Sequence, residues 1–495
     1  MRRIGFDNDQ YIKLQSERIR ERIAEFGGKL YLEFGGKLFD DNHAARVLPG
    51  FKPDSKVNML LNLRDQVEIV IVINAGDIES SKQRGDLGIT YDMEVLRLID
   101  AFRGIGLYVG SVVIAQYREQ SSADNFMRLL DSRGVKVYRH YPIEGYPSNI
   151  PAIVCDEGFG RNDFIETERS LVVVTAPGPG SGKMATCLSQ LYHEHRRGVQ
   201  AGYAKFETFP IWNLPIKHPI NLAYEAATAE LNDINMLDPF HLNAYGVQAV
   251  NYNRDVDIFP VLNAIFQKIY GSCRYQSPTD MGVNMVGFCI TDDDACCEAS
   301  RQEIIRRYYS IRCQALQGLV DAETVLKLEL LMNKAGCTPE CRPVIGSALK
   351  VAEETEQPAC AMQLPDGTIV TGKNKELLGA SAAMLLNALK ILGNIPDNIH
   401  LLSPDIIQPV QNLKVNHLGN HNPRLHTDEV LIALSISAAT NDYARIAMEQ
   451  LSRLSGCEAH STVIISSVDE TTFRKLGVNI TCEPRYQSKK LYHKK

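Results

Sequence analysis

The chain lacks several features that would place it in a specialised class. It has 53 basic residues against 59 acidic ones, which gives a net charge of −6. Because broad nucleic-acid binding depends on clustered basic side chains that neutralise phosphates, this balance argues against such a surface. The apolar runs, such as residues 67–73, are too short to cross a bilayer, and MRRIGFDNDQYIKL lacks the apolar core of a signal peptide. We therefore expect a cytoplasmic protein that binds neither nucleic acid nor membrane.

The cysteines do not have the spacing of a disulfide framework. Twelve of them are scattered over 495 residues, which fits reduced thiols in a cytoplasm. The chain is also too long for a single hydrophobic core, so two or three domains are expected. An apolar fraction of 44% and a charged fraction of 23% are typical of an ordinary globular protein.

Buried strands alternate with helices in the N-terminal part of the sequence. Apolar runs at residues 67–74, 106–117 and 171–174 are separated by segments with helical periodicity. This alternation predicts an α/β fold with a mostly parallel sheet and helices on both faces. One local pattern differs, because the Gly35–Gly36 pair between apolar residues predicts a β-hairpin over residues 31–39.

The sequence divides into three predicted parts. We assign residues 1–290 to an N-terminal α/β domain and residues 291–350 to a helical portion. After a polar seam, residues 351–495 show another mixture of strands and alanine- and leucine-rich helices. This part is predicted to be a smaller C-terminal α/β domain.

The stretch LVVVTAPGPGSGKMATCLSQL, at residues 171–191, has a P-loop-like order of strand, glycine-rich loop, lysine and helix. In this arrangement loop amides and the helix N-terminus bind phosphate, and the lysine adds positive charge. The loop departs from G-x-x-x-x-G-K-[ST], because Pro177 replaces the first glycine and Met184 replaces the magnesium-binding hydroxyl. We expect a small phosphorylated molecule, ATP with Mg²⁺ or another, to bind at Gly178, Gly180, Ser181, Gly182 and Lys183.

Carboxylates elsewhere could supply a base or a metal ligand. Glu207 comes directly after a predicted strand, and parallel sheets bind ligands beyond the carboxyl ends of their strands. Asp233, Asp238 and His241 come later in the sequence. The run at residues 292–294 resembles the acidic end of a Walker-B strand, but acidic residues also start helices. The candidate catalytic residues are Lys183, Glu207, Asp238 and His241.

Three kinds of function remain open. The first is an enzyme of phosphoryl transfer or ATP-dependent ligation, and the second is a regulatory protein that binds an anion or nucleotide without turnover. The third is a metal-dependent hydrolase that uses His43, His140 or His241. The H-E-H run at residues 193–195 does not have the H-E-x-x-H spacing of a metallopeptidase. A homo-oligomer is compatible with the sequence.

Several long motifs resemble a bacterial protein family known as DUF1846, or UPF0371. They are FGGKLFDDNHAARVLPGF, RGDLGITYDMEVLRLID, TAPGPGSGKMATCLSQLYHE, AGYAKFETFPIWNLPIKHPINLAYEAATAELND, SPTDMGVNMVG and NPRLHTDEVLIALS. The resemblance covers essentially the whole chain and implies an N-terminal α/β region, a helical portion and a C-terminal α/β subdomain. It implies no activity. It also implies that Pro177 and Met184 belong to the family's loop, which favours a loop built for an anion.

Overall fold

The computed structural model describes residues 3–36, 38–39, 41–84 and 88–487. The chain divides into two compact units. One consists of residues 4–225 and 233–297, and the other of residues 1–3, 226–232 and 298–495. No helix within the described ranges combines the length and the apolarity that a membrane span requires.

The secondary structure alternates between strands and helices over most of the chain. The strands are β1 (Leu30–Phe34), β2 (Val67–Asn74), β3 (Gln83–Arg84), β4 (Ile89–Thr90), β5 (Tyr108–Ala115), β6 (Lys136–Arg139), β7 (Leu171–Thr175), β8 (Gly202–Phe206), β9 (Asn235–Leu237), β10 (Val250–Tyr252), β11 (Gly282–Val283), β12 (Ala359–Gln363), β13 (Ile369–Lys373), β14 (Glu458–Ser461) and β15 (Asn479–Cys482). The α-helices are α1 (Asn8–Glu25), α2 (Asn42–Val47), α3 (Ser55–Leu61), α4 (Ala75–Glu79), α5 (Tyr91–Gly104), α6 (Ser121–Ser132), α7 (Ile150–Ile153), α8 (Lys183–Arg196), α9 (Pro219–Ala227), α10 (Pro239–Tyr245), α11 (Asn253–Tyr270), α12 (Pro278–Met281), α13 (Asp293–Leu316), α14 (Ala322–Ala335), α15 (Pro343–Thr355), α16 (Ala380–Leu392), α17 (Pro404–Asn412), α18 (Thr427–Ser437), α19 (Asp442–Glu449) and α20 (Ser467–Lys475).

The first unit contains a seven-stranded sheet, here called the large sheet. Its strand order is β11-β8-β1-β7-β2-β5-β6, and all neighbouring strands run parallel. Every residue of β7 is buried, and so is every residue of β2 except the last. Strands that are buried along nearly their whole length are typical of a parallel sheet covered by helices on both faces. The predicted α/β class is confirmed.

The hairpin predicted for residues 31–39 is wrong. β1 lies in the middle of the large sheet, where Leu30 pairs with Leu171 of β7 on one side and with Gly202 of β8 on the other. Gly35 ends this strand, and its amide donates a hydrogen bond to the Phe206 carbonyl at 3.0 Å. The glycine pair therefore ends a parallel strand and does not form a hairpin turn. β1 pairs with β7 and β8, which are far away in the sequence, and not with a neighbouring segment.

The second unit contains a smaller mixed sheet of strand order β13-β12-β14-β15. β14 and β15 are parallel, whereas β12 is antiparallel to both of its neighbours. The core of this unit includes Met384, Leu385 and Leu389 of α16, which are fully buried. This sheet and its helices confirm the predicted smaller α/β domain.

Arg342, a buried arginine at the start of α15, forms hydrogen bonds with the small sheet. The side chain of Arg342 is 1% exposed and donates hydrogen bonds to the carbonyls of Ala459 (2.9 Å) and Asn479 (2.7 Å). It also forms an ion pair with Glu458, which accepts a second hydrogen bond from Arg306 at 2.8 Å. Because a charge in the protein interior needs its partners, this arrangement fixes the path of the chain into β14 and β15.

The substitution Arg342→Met tests this role. It leaves the partly buried Glu458 carboxylate with one basic partner and removes a donor from each of two strand carbonyls. Removing one member of a buried ion pair typically costs about 3–5 kcal/mol, so we expect a loss of that size in the free energy of unfolding of the second unit. Urea denaturation followed by circular dichroism measures it. Arg445→Met, which removes ion pairs on the exposed face of α19, is the control and should change stability little. Equal stability of the two variants would contradict this role.

Candidate functional site

The glycine-rich loop, residues 177–183, joins the carboxyl end of β7 to α8. Gly180 (φ +75°) and Gly182 (φ +96°) both adopt the left-handed conformation, and Gly182 is the N-cap of α8. An added Cβ at Gly182 would lie 3.0 Å from the Cβ of Ala115 at the end of β5. The two glycines therefore allow the chain to turn sharply and begin a helix directly above the large sheet.

The amides at the start of α8 are available to a ligand. Among the described residues, the backbone N–H groups of Gly182, Lys183, Met184 and Ala185 find no hydrogen-bond acceptor. The first turn of any helix leaves such groups without intrahelical partners, and they carry the positive end of the helix dipole. Here no side chain caps them, so an anion can bind to several amides at once.

The rest of the loop is held rigidly by its own contacts. Ser181 is buried, and its hydroxyl donates to the Gly178 carbonyl at 2.7 Å. Gly178 packs against Tyr91 of α5 so closely that an added Cβ would overlap the tyrosine hydroxyl. The Ser181 hydroxyl therefore stabilises the loop, while the amides that follow it stay open.

Lys183 is the first residue of α8. Its side chain is half-buried, and no described residue forms a hydrogen bond or an ion pair with its ammonium group. The positive charge is therefore not neutralised within the described part of the chain. Lys183 lies on the same helical turn as the open amides.

A second group of polar residues lies at the carboxyl end of β8. We call Lys205, Glu207, Tyr252 and Asp255 the acid–base cluster. The Lys205 ammonium donates to Glu207 Oε1 at 2.7 Å and to Asp255 Oδ1 at 2.6 Å. The Tyr252 hydroxyl donates to the same oxygen of Glu207. The Lys205 ammonium thus forms ion pairs with two largely buried carboxylates.

Burial decides the protonation of this cluster. It raises the pKa of Glu207 to about 7, although the Lys205 ammonium works in the opposite direction. Burial lowers the pKa of Lys205, but the carboxylates of Asp255 and Glu207 outweigh this and raise it above its ordinary value. Lys205 stays charged, and Glu207 can therefore take up or release a proton near neutral pH.

The glycine-rich loop and the acid–base cluster lie at the same end of the large sheet. β7 and β8 flank β1, and neighbouring strands are about 4.8 Å apart, so their carboxyl ends lie about 10 Å from each other. β1 ends between them in Gly35 and Gly36. An added Cβ at Gly35 would lie 3.4 Å from Cγ of Glu207, so the absence of a side chain keeps the space beside Glu207 free.

Two predicted site residues have structural roles in a different place. Asp238 is fully buried and caps α10, since one of its carboxylate oxygens accepts from the amides of Phe240 and His241. The other accepts from the amide and the hydroxyl of Thr279. His241 contacts the Ser277 hydroxyl through Nδ1 at 3.0 Å. Neither residue has a hydrogen bond to Glu207 or Lys183, so the structure brings together only part of the predicted set.

The three histidines considered for a hydrolase lie in separate surroundings. His140 contacts the Asp163 carbonyl and the Thr186 hydroxyl, and burial lowers its pKa to about 4. His43 packs against the rings of Phe209 and Tyr224. Within the ranges that the structure describes, none of these histidines belongs to a group of three metal-ligating side chains.

The residues at 292–294 begin a helix, as acidic residues often do. Asp292 accepts a hydrogen bond from the Ala295 amide, and α13 starts at Asp293. The segment before this run, which would have to be a strand in a Walker-B motif, forms a short 3₁₀ turn at Val286–Phe288. The Walker-B comparison thus lacks its strand.

Sequence reasoning missed Lys205, Tyr252 and Asp255. A signal for Lys205 is present, because it is a charged residue inside the otherwise buried strand GYAKF. Glu33 gives the same signal in LYLEF, and it accepts a hydrogen bond from the Tyr203 hydroxyl at 2.6 Å. A charge within a buried strand must have a partner, and this requirement points to a polar cluster.

Comparison with known proteins identifies the family. The N-terminal domain of unknown function DUF1846 matches residues 4–336, and its C-terminal counterpart matches residues 340–492. The chain belongs to this family. It is 58% identical over 494 residues to the UPF0371 protein SpyM50764 of Streptococcus pyogenes serotype M5, with all of both chains covered. It is also 58% identical to the UPF0371 protein of Streptococcus equi subsp. equi, over 99% of this chain and all of that one.

The raised pKa of Glu207 predicts a dependence of stability on pH. Between the unfolded-state pKa of about 4.5 and the folded-state value near 7, the folded protein binds one proton more than the unfolded chain. The free energy of unfolding therefore falls as the pH rises through this window. Glu207→Gln cannot ionise, so its melting temperature should fall less than that of the wild type between about pH 5 and about pH 8.

Thermal unfolding at a series of pH values measures this effect. Glu157→Gln, at an exposed position, is the matched control and should keep the wild-type slope. Identical slopes for the wild type and Glu207→Gln would show that Glu207 does not titrate in this range.

Proposed function

We propose that this protein binds a phosphorylated small molecule, a nucleotide such as ATP, at the carboxyl end of the large sheet and acts as a phosphoryl-transfer or ligation enzyme. The four open amides at the start of α8 carry this proposal. They lie beside the unneutralised charge of Lys183, and together these groups match the requirements of a phosphate. Because Met184 replaces the usual hydroxyl, Mg²⁺ would be held by phosphate oxygens, water and carboxylate.

The acid–base cluster supports an enzyme rather than a protein that only binds. A carboxyl group with a pKa near 7 can accept a proton from an attacking hydroxyl or amine at physiological pH. Perturbed titratable groups cluster at functional sites, and Glu207 lies at the same end of the sheet as the glycine-rich loop. We therefore assign Glu207 the role of general base, and Lys205 and Tyr252 the role of holding its carboxylate in place.

Lys183→Ala tests the phosphate site. A hydrogen bond to a charged group contributes about 1.5–3 kcal/mol, so we expect the substitution to weaken binding of ATP–Mg²⁺ or of a sugar phosphate about 10- to 100-fold. Isothermal titration calorimetry against both ligands measures the change.

Lys268→Ala removes a charge of the same type from an exposed position on α11 and is the matched control. Equal affinity of the wild type and Lys183→Ala for every phosphate ligand would exclude the glycine-rich loop from the site. A ligand that binds to the wild type but yields no product after long incubation would instead indicate a regulatory protein.

Glycine substitutions test the loop geometry separately from its charge. Gly182→Ala places a Cβ at φ +96° and 3.0 Å from the Ala115 methyl group, whereas Gly180→Ala at φ +75° points into open space. Left-handed backbone costs a non-glycine residue about 1–2 kcal/mol in either case. We expect Gly182→Ala to weaken phosphate binding more than Gly180→Ala, because only the former must move the start of α8.

Gly134→Ala is the control for this pair of variants. Gly134 has φ +68°, nothing lies within 4 Å of an added Cβ, and it follows α6 outside the glycine-rich loop. It should lower the melting temperature about as much as Gly180→Ala and leave ligand affinity unchanged. An affinity loss in Gly134→Ala equal to that in Gly182→Ala would show that binding responds to general stability and not to the loop.

A further inference from the structure

Three metal-ligating side chains converge where α13 begins. His218 Nε2 lies 3.0 Å from Asp293 Oδ1 and 3.6 Å from Cys297 Sγ. Cys297 Sγ lies 3.8 Å from Asp293 Oδ2. In the part of the chain that the structure describes, this is the only group of three or more His, Cys, Asp or Glu residues whose ligand atoms all lie within 4.8 Å of one another.

Two local segments bring these atoms together. Asp293 and Cys297 are four residues apart on α13, so their side chains lie on the same helical face. His218 comes from the turn before α9, where its carbonyl accepts from the Leu222 amide and its own amide donates to Pro215. The three side chains are thus held by two different segments of the first unit, each anchored by backbone hydrogen bonds.

The distances fit the corners of a zinc coordination tetrahedron. Zn–N and Zn–O bonds of about 2.0–2.1 Å and a Zn–S bond of about 2.3 Å place neighbouring ligand atoms about 3.3–3.6 Å apart. The separations of His218 Nε2 from Asp293 Oδ1 (3.0 Å) and from Cys297 Sγ (3.6 Å) differ from these values by only a few tenths of an ångström. Cys297 Sγ lies 3.8 Å from the other oxygen of Asp293, and with one ligand atom taken from each residue all three atoms lie within 4.8 Å of one another. We propose that His218, Asp293 and Cys297 form a Zn²⁺ site of this protein, which is separate from the proposed phosphate site.

The ligand types select zinc over the hard cations. Mg²⁺ and Ca²⁺ prefer oxygen ligands, whereas a thiolate, an imidazole and a carboxylate together are typical of Zn²⁺. The Asp293 side chain is 60% exposed, so solvent reaches this place. Three protein ligands with a water molecule in the fourth position give an open zinc site, in which the metal can act as a Lewis acid.

Binding of the metal moves two protons. The Ile220 amide donates to His218 Nδ1 at 3.3 Å, so without metal the ring proton is on Nε2 and points to Asp293. On binding, Nε2 gives its lone pair to Zn²⁺, the ring proton resides on Nδ1, and the long hydrogen bond from Ile220 is given up. The Cys297 thiol loses its proton to water and ligates as thiolate. No oxidant or reductant is required.

Cobalt substitution tests the site in the full-length protein. The protein is stripped with a chelator, dialysed and titrated with Co²⁺, whose thiolate complexes absorb in the near ultraviolet and whose tetrahedral complexes absorb in the visible. We expect one Co²⁺ per chain with both absorptions, and stoichiometric displacement by Zn²⁺. Cys297→Ser should abolish the near-ultraviolet band and weaken Zn²⁺ binding about 100-fold or more.

Cys341→Ser is the matched control, because Cys341 is exposed and lies in the other unit. It should bind Co²⁺ as the wild type does. His218→Gln provides a second variant that keeps the thiol, and circular dichroism checks that each variant is folded. If the wild type fails to bind Co²⁺ and Zn²⁺ at micromolar concentration, or if Cys297→Ser and His218→Gln bind them as tightly as Cys341→Ser does, the proposal is wrong.

Discussion

Backbone amides need hydrogen-bond acceptors, and the candidate site is the place where several amides lack one within the described part of the chain. In the large sheet this requirement is met by the parallel pairing of seven strands, and in α8 by the helix itself. It is not met at the start of α8, where Gly182 supplies the backbone turn but no capping side chain. A serine or aspartate at that position would accept from amides of the first turn, as Asp238 does from two amides at the start of α10. The glycine therefore keeps positive potential at the centre of the sheet, where a ligand can reach it.

The acid–base cluster follows from a different constraint, which is the charge balance inside a buried space. Lys205 projects from a strand that is otherwise apolar, so it must be compensated, and Asp255 and Glu207 both lie within hydrogen-bond distance. One ammonium group cannot fully stabilise two carboxylates away from water. Burial raises the pKa of Glu207 to about 7, and the nearby Asp255 carboxylate raises it as well, while the Lys205 ammonium lowers it. A carboxyl group that titrates near neutral pH is thus a consequence of burial, to which the neighbouring charge of Asp255 adds.

Much of the fold and part of the site could be predicted because they depend on short segments. The run at residues 171–174 is apolar throughout, and a glycine-rich turn and Lys183 follow it, so strand, loop and helix start are all local properties. β1 was not predictable in the same way. Its flanking glycines suit a hairpin as well as a strand end, and the choice depends on β7 and β8, about 140 and 170 residues further along the chain.

The grouping of Glu207 with Asp238 and His241 was based on their proximity in the sequence, and the structure separates them. Asp238, which follows β9, accepts a hydrogen bond from Thr279, whereas Tyr252, at the end of β10, donates one to Glu207.

Gly35 and Gly36 lie between the open amides of α8 and the acid–base cluster. β1 lies between β7 and β8, so any side chain at its end would lie between the open amides and Glu207. If a phosphate binds at α8 as proposed, the amides would take the oxygens nearest to them, and the remaining oxygens would be directed away from the helix. The carboxyl ends of β7 and β8 lie about 10 Å apart, and Gly35 and Gly36 place no side chain between them, so the proposed reaction would have room for an acceptor molecule between the phosphate and Glu207. Transfer between two bound molecules needs such a space, whereas a site that only retained an anion would need neither the gap nor a titrating group beyond it.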